Sequence, residues 1–125
     1  MAPNNPLQEK ALHFAVAAVH ACRILNQKRE YVLSKQLLKS ATSIGANIQE
    51  ARFAQTKRDF LSKMTIALKE ASETQYWITV IQASGSGSGI NWQPLSSECN
   101  EITALLVSST KTLKAKLQIS NDYHS

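Results

Sequence analysis

Apolar residues recur every three or four positions through four long segments of this 125-residue chain. That spacing places them on one face of an α-helix, and no segment alternates with the period of two that a half-buried β-strand requires. The four apolar seams are Leu7, Ala11, Phe14, Ala18 and Leu25; Leu37, Ala41, Ile44, Ile48 and Ala51; Phe60, Met64, Ala67, Ala71, Thr74, Ile78 and Ile81; and Leu95, Cys99, Ile102, Leu106, Ser109 and Leu113. The periodicity predicts an all-α protein.

Capping residues set the expected helix bounds. Asn5-Pro6 supplies a cap and a first-turn proline, Thr56 can cap the third helix with Asp59 reaching back, and Pro94 opens the fourth. We expect helices over residues 6–27, 30–54, 57–83 and 94–118. Four helices of similar length joined by short connections pack as antiparallel neighbours, so residues 1–125 are predicted to form a single up-down-up-down four-helix bundle.

The segment 84–89 repeats serine and glycine and is predicted to be a flexible linker. Its strict repeat fits either an engineered replacement of a natural loop or an ordinary flexible connection.

The N-terminus lacks the pattern of a secretory signal, and no stretch approaches the ~20 apolar residues of a membrane span, which predicts a soluble cytoplasmic protein. Cys22 and Cys99 are far apart and form no Cys-x-x-Cys motif. They are expected to be buried small apolar residues and not part of a disulfide or zinc site.

No catalytic or metal-binding pattern stands out. A di-metal bundle needs Glu-x-x-His motifs on two helices, whereas both internal histidines, His13 and His20, lie on helix one. The chain also has no nucleophile elbow and no phosphate-binding glycine loop. We therefore expect no enzyme activity, no metal and no cofactor.

Positive charge is predicted to gather at one end of the bundle. The formal net charge is +5, and antiparallel packing brings the start of helix one, the turn between helices two and three, and the end of helix four together. The candidate nucleic-acid-binding residues there are Lys10, Arg52, Lys57, Arg58, Lys63, Lys111, Lys114 and Lys116. The alternative is that the helix-four lysines complement the dipole at its C-terminus and keep the protein soluble. No aromatic residues are expected among these cations, because Trp77, Trp92 and Tyr76 belong to the opposite end or its approach. Contacts to phosphate and not base stacking are therefore expected.

Helix one carries a second apolar set, Leu12, Val16 and Val19, away from its core seam. These residues are predicted to form an oligomer interface, since soluble proteins seldom leave such patches open. The alternative is a helix sunk between two neighbours of the same bundle.

Residues 39–51 (KSATSIGANIQEA) and 59–75 (DFLSKMTIALKEASETQ) together carry a family resemblance. They resemble the four-helix-bundle proteins encoded in intervening sequences of 23S ribosomal RNA genes. The chain departs from that pattern at Gly45, where proline is frequent, and at Ala51, where glycine is usual. Both changes should make helix two more regular at its end without altering the bundle.

The resemblance carries functional expectations. Relatives of that family are similar to the accessory variability protein of diversity-generating retroelements, a basic pentamer that binds a reverse transcriptase and nucleic acid. It therefore implies a homopentamer without enzyme activity, and RNA, DNA or a reverse transcriptase as candidate partners. The alternative is a structural or regulatory protein-interaction module that binds no nucleic acid.

Asn47 and Glu50 lie beside the core seam of helix two, where polar side chains need hydrogen-bond partners. Lys57, Arg58 and Thr65 of helix three are expected nearby. We interpret Asn47 and Glu50 as a structural polar clamp between helices two and three, the alternative being a ligand site.

Overall fold

Four α-helices account for nearly all of the chain. The computed structural model describes residues 5–124, with side chains through Gln118. The helices are α1 (Pro6–Gln27), α2 (Tyr31–Ala51), α3 (Lys57–Ser84) and α4 (Gln93–His124). Each helix contacts the next along the chain, and α4 closes the ring against α1. The predicted antiparallel four-helix bundle is confirmed.

The predicted seams form the core. Phe14, Leu25 and Ile44 are fully buried, and every seam residue of α2 is buried. In α4 the seam departs from the prediction, because Ser109 is exposed and Thr110 is buried instead. The next buried position after Leu106 is therefore four residues later and not three. Steps of three and of four residues both keep side chains on one face of a helix.

Local hydrogen bonds explain the helix bounds. Asn5 Oδ1 accepts from the Gln8 amide at 3.2 Å, and Thr56 Oγ1 accepts from the Asp59 amide at 3.0 Å, so α1 and α3 begin where their caps predict.

Two helix ends differ from the expected bounds. Helix α2 stops at Ala51 and not at residue 54, because the next three amides bond carbonyls only three residues back, at 3.1–3.2 Å, and tighten the chain into a turn. Helix α4 continues to His124 and not to residue 118, since residues 117–124 contain no glycine or proline to end it.

The serine-glycine segment forms a defined turn between α3 and α4. Gly85 caps α3 in the left-handed conformation, with φ of 77°. Gly87 is buried, and its carbonyl accepts a hydrogen bond from Nε1 of the buried Trp92 at 2.9 Å. A Cβ at Gly87 would collide with the Trp92 indole and with Ile81. The segment expected to be a generic linker is thus shaped to the indole beneath it, and its mobility stays a prediction.

Both cysteines are buried and free, as predicted. Cys22 and Ser34 join α1 to α2 through reciprocal bonds, with Ser34 Oγ donating to the Cys22 carbonyl at 3.2 Å and Cys22 Sγ donating to the Ser34 carbonyl at 3.4 Å. Cys99 Sγ donates to the Ala71 carbonyl at 3.4 Å. Burial disfavours the thiolate and raises the pKa of Cys99 to about 11, so this thiol is chemically quiet at neutral pH.

Helices α1 and α2 approach each other closely at Gly45, where an added Cβ would lie 3.6 Å from that of Ala11. Of the two positions that depart from the family pattern, Gly45 lies within α2 and Ala51 is its last residue. None of the helices, over the part that the structure describes, is long and apolar enough to cross a membrane.

Candidate nucleic-acid interface

Helices α3 and α4 project beyond α1 and α2 at one end of the bundle. Lys10 of α1 pairs with Glu101 of α4, and His13 pairs with Glu98 at 2.6 Å, so α1 begins about level with residue 105 of α4. On the other side, Glu50 near the end of α2 pairs with Lys63 of α3 at 3.1 Å. Residues 57–62 of α3 and 107–118 of α4 therefore lie past the ends of α1 and α2, and we call these two segments the basic overhang.

The basic overhang is a two-helix structure. Thr110 is its one buried residue, while Phe60, Leu61, Leu113 and Leu117 are half-buried where α3 and α4 face each other. The remaining side chains described in this region are exposed. A thin apolar seam thus holds the two helices together and leaves their outer surfaces to solvent.

Five cations occupy this region against one described carboxylate, Asp59. They are Lys57, Arg58, Lys111, Lys114 and Lys116. Because α3 and α4 are antiparallel, Lys57 and Lys116 line one groove of about 430 Å³, and Arg58 and Lys114 line another of about 610 Å³ on the opposite side. Each groove thus has a cation from each helix, an arrangement that attracts an extended anion.

The other three predicted cations make contacts between helices. Lys10 pairs with Glu101, Lys63 pairs with Glu50, and Arg52 donates a hydrogen bond to Gln8 Oε1. All three lie at the level where the four helices pack together. The predicted patch thus consists of three cations at the level of the four-helix core and five exposed cations on the basic overhang.

An aromatic residue lies at the basic end, contrary to the expectation that this end would have none. Phe53, in the turn between α2 and α3, is 68 % exposed. Its position two residues past the end of the α2 seam, between Arg52 and Lys57, is the sequence signal that could have revealed it. Tyr76 and Trp77, in the second half of α3, and Trp92, at the other end, lie where the sequence placed them.

Asn47 and Glu50 behave differently from each other. Glu50 is exposed and joins α2 to α3 through Lys63, while Asn47 Nδ2 donates to the Ser43 carbonyl of its own helix at 2.8 Å. Asn47 is satisfied locally because the carbonyl four residues earlier lies within reach of its amide. Of this pair, Glu50 makes the contact between the two helices.

The second apolar set of α1 lies largely on the outside of the chain. Leu12 is 66 % exposed and Val16 is 49 % exposed, while Val19 is half-buried. A shallow groove of about 320 Å³ follows the same side of α1 toward α2 and contains Leu12, Ala15 and Gly45. Leu12 and Val16 are therefore not covered by neighbouring helices of their own bundle.

Metal ligands do not converge in the part of the chain that the structure describes, where no group of three His, Cys, Asp or Glu residues is placed to hold an ion. Both internal histidines are exposed, and His13 contacts Glu98.

The fold and this surface define a basic, all-α four-helix bundle with a cationic two-helix projection at one end. The chain belongs to the family described as 23S rRNA-intervening sequence protein, whose sequence profile matches residues 4–108, and the predicted resemblance is confirmed. Lys111, Lys114 and Lys116 lie beyond the matched residues.

A solved structure has the same architecture. It is a protein of unknown function from the S23 ribosomal protein family of Bacteroides thetaiotaomicron, with 41% sequence identity and a TM-score of 0.78, and the similarity covers 84% of this chain and 98% of that one. A comparison with curated proteins gives no match.

Proposed function

We propose that this protein is a non-catalytic, oligomeric scaffold that binds the phosphate backbone of nucleic acid through its basic overhang. The observation that carries the proposal is the placement of cations from α3 and α4 on both sides of one two-helix projection. Cations that neutralise successive phosphates supply most of the affinity of sequence-independent binding. A reverse-transcriptase partner stays a prediction of the family resemblance.

The length of α4 weakens the alternative explanation of its lysines. A helix dipole acts only on charges in the first or last turn. Helix α4 ends at His124, which leaves Lys116 roughly two turns before the end and Lys111 further still. Complementing the C-terminal dipole therefore does not explain these lysines.

Helix α3 gives the complementary argument. Lys57 and Arg58 are the first two residues of α3, where the dipole favours negative charge. Positive charge at this position opposes helix stability. A role in attracting an anion would account for Lys57 and Arg58 at a position where positive charge does not favour the stability of the helix.

Self-association is proposed through the outer face of α1. Leu12 and Val16 leave apolar surface exposed on a chain of 13.8 kDa. A heterologous contact repeated by rotation closes into a ring, and the family resemblance supplies the count of five. A ring would present several basic overhangs together, so that modest individual contacts gain avidity.

Charge reversal tests the nucleic-acid proposal. The double variant Lys57→Glu/Arg58→Glu should bind both RNA and DNA at least about tenfold more weakly at low salt, and its log-log salt slope should be shallower by about two. A matched control is Lys35→Glu/Lys69→Glu, which makes the same change in net charge at exposed sites away from the basic overhang. Equal losses of nucleic-acid affinity in both double variants would mean that only the net charge of the protein matters and not the position of the cations. Binding that is absent from the wild-type protein at low salt would leave the protein-interaction module as the explanation.

A charged substitution tests the assembly. Val16→Asp should convert the wild-type oligomer into a helical monomer of 13.8 kDa, because a carboxylate in a subunit contact loses its hydration. Light scattering coupled to size exclusion measures the mass, and Thr79→Asp on exposed α3 surface is the control. A wild-type protein that is monomeric at micromolar concentration would contradict the proposed assembly.

A further inference from the structure

Phe53 is a large apolar ring left outside the core at the basic end. It is 68 % exposed, whereas Phe60, the next aromatic residue along the chain, is half-buried against the core. The Phe53 amide donates to the Glu50 carbonyl at 3.1 Å, and the Ala54 amide donates to the Ala51 carbonyl at 3.1 Å. The backbone that carries the ring is therefore held in a hydrogen-bonded turn.

The ring precedes the first cations of α3 by a few residues along the chain. Lys57 is four residues further along, so its Cα lies no more than about 14 Å from that of Phe53, and Arg58 follows directly. Lys57 is exposed and makes no ion pair with any residue that the structure describes. An exposed aromatic face beside a cationic track is the combination by which proteins hold single-stranded nucleic acid, where bases stack on rings and cations follow the phosphates.

We propose that Phe53 stacks against an unpaired nucleobase, so that the basic end prefers single-stranded nucleic acid to duplex. This inference rests on the proposed function, because the cations of the basic overhang must first hold the phosphates. In a duplex the bases are stacked on one another and present no free face to the ring, whereas a single strand does. Every base has such a face, so the preference is for strandedness and not for sequence.

The test compares fluorescence-anisotropy titrations of one oligonucleotide in three forms: a single strand, the same strand paired with its complement, and a single strand with abasic residues. RNA and DNA versions are both used. The variants are Phe53→Ala, which removes the ring; Phe53→Leu, which keeps an apolar side chain without a π face; and Phe53→Trp, which keeps a stacking surface. Tyr31→Ala removes a similarly exposed ring, 60 % exposed, at the opposite end and serves as the control.

Phe53→Ala and Phe53→Leu should each weaken binding of the single strand about tenfold and leave duplex and abasic binding within about twofold. Phe53→Trp should bind the single strand at least as tightly as the wild type, and base stacking should quench the new indole. Tyr31→Ala should change none of the three.

Equal effects of Phe53→Ala on single strand and duplex, or no effect on either, would overturn the stacking role while leaving the phosphate contacts intact. An altered oligomer mass for Phe53→Ala would assign the ring to a subunit contact and also overturn it. Wild-type protein that binds none of the three forms at low salt would remove the proposed function and this inference together, a result distinct from the other two.

Discussion

The two ends of the bundle are built in opposite ways. At the closed end, which comprises the connections 28–30 and 85–92, Trp92 is buried beneath the Gly87 carbonyl, and Lys28 Nζ donates to Ser88 Oγ at 3.3 Å to join the two connections. At the open end, α3 and α4 continue alone as the basic overhang, with like charges on both sides. The closed end has a buried aromatic residue and hydrogen-bonded connections that stabilise the fold, whereas the open end places like charges near one another at a cost in local stability. We propose that these charges serve to bind an anion.

Stability should respond most strongly to a change at the closed end. Trp92→Ala should lower the free energy of unfolding by about 3–5 kcal/mol, because it removes a large buried side chain and its hydrogen bond to the Gly87 carbonyl. Urea denaturation followed by circular dichroism measures the loss. Tyr31→Ala, at an exposed ring, should cost less than about 1 kcal/mol, and a similarly small cost for Trp92→Ala would show that the indole does not seal this end.

A smaller effect is expected from the glycine above that indole. Gly87→Ala should destabilise the protein by about 1–3 kcal/mol, because the new Cβ would collide with Trp92 and Ile81 and the turn would have to move. Thermal and urea unfolding report the change, with the exposed neighbour Ser88→Ala expected to stay within about 0.5 kcal/mol. Equal stability of the two variants would mean that the turn packs loosely over the indole.

The smallest effect on stability is expected at the open end, from the same charge reversal that should weaken nucleic-acid binding. Lys57→Glu/Arg58→Glu should leave the free energy of unfolding unchanged or raise it by up to about 1 kcal/mol, because negative charge suits the first turn of α3. Thermal unfolding at low salt measures it. A loss of more than about 1 kcal/mol would show that these cations support the fold.

The helical core could be predicted because it follows one periodic rule. The seams from Leu7 to Leu106 repeat every three or four residues, and Asn5 and Thr56 cap helices where their side chains meet free amides. The prediction that Ser109 is buried was wrong. This residue lies where α4 passes the end of α1 and continues beside α3 alone. Periodicity reports which face is buried only while the surrounding helices are present to bury it.

The details of the candidate site depended on tertiary placement. The sequence predicted eight cations at one end. Only the structure shows that three of them contact another helix: Lys10 through Glu101, Lys63 through Glu50 and Arg52 through Gln8. Helix α2 ends at Ala51, so Phe53 lies in the following turn and is exposed. The expected bound at residue 54 had placed Phe53 inside the helix. The charge pattern alone therefore does not show which cations contact other helices or that Phe53 is exposed. Both depend on contacts between residues distant in sequence and on where α2 ends.

The salt dependence of nucleic-acid affinity is the decisive test of phosphate binding by the basic overhang. Wild-type protein is titrated with a labelled single strand at a series of salt concentrations, and the logarithm of the association constant is plotted against the logarithm of the salt concentration. If the five cations of the basic overhang each neutralise one phosphate, the plot should be linear with a slope of about −3.5 for each subunit engaged. A slope near zero, or no detectable binding at about 50 mM salt, would show that the basic overhang does not bind nucleic-acid phosphates.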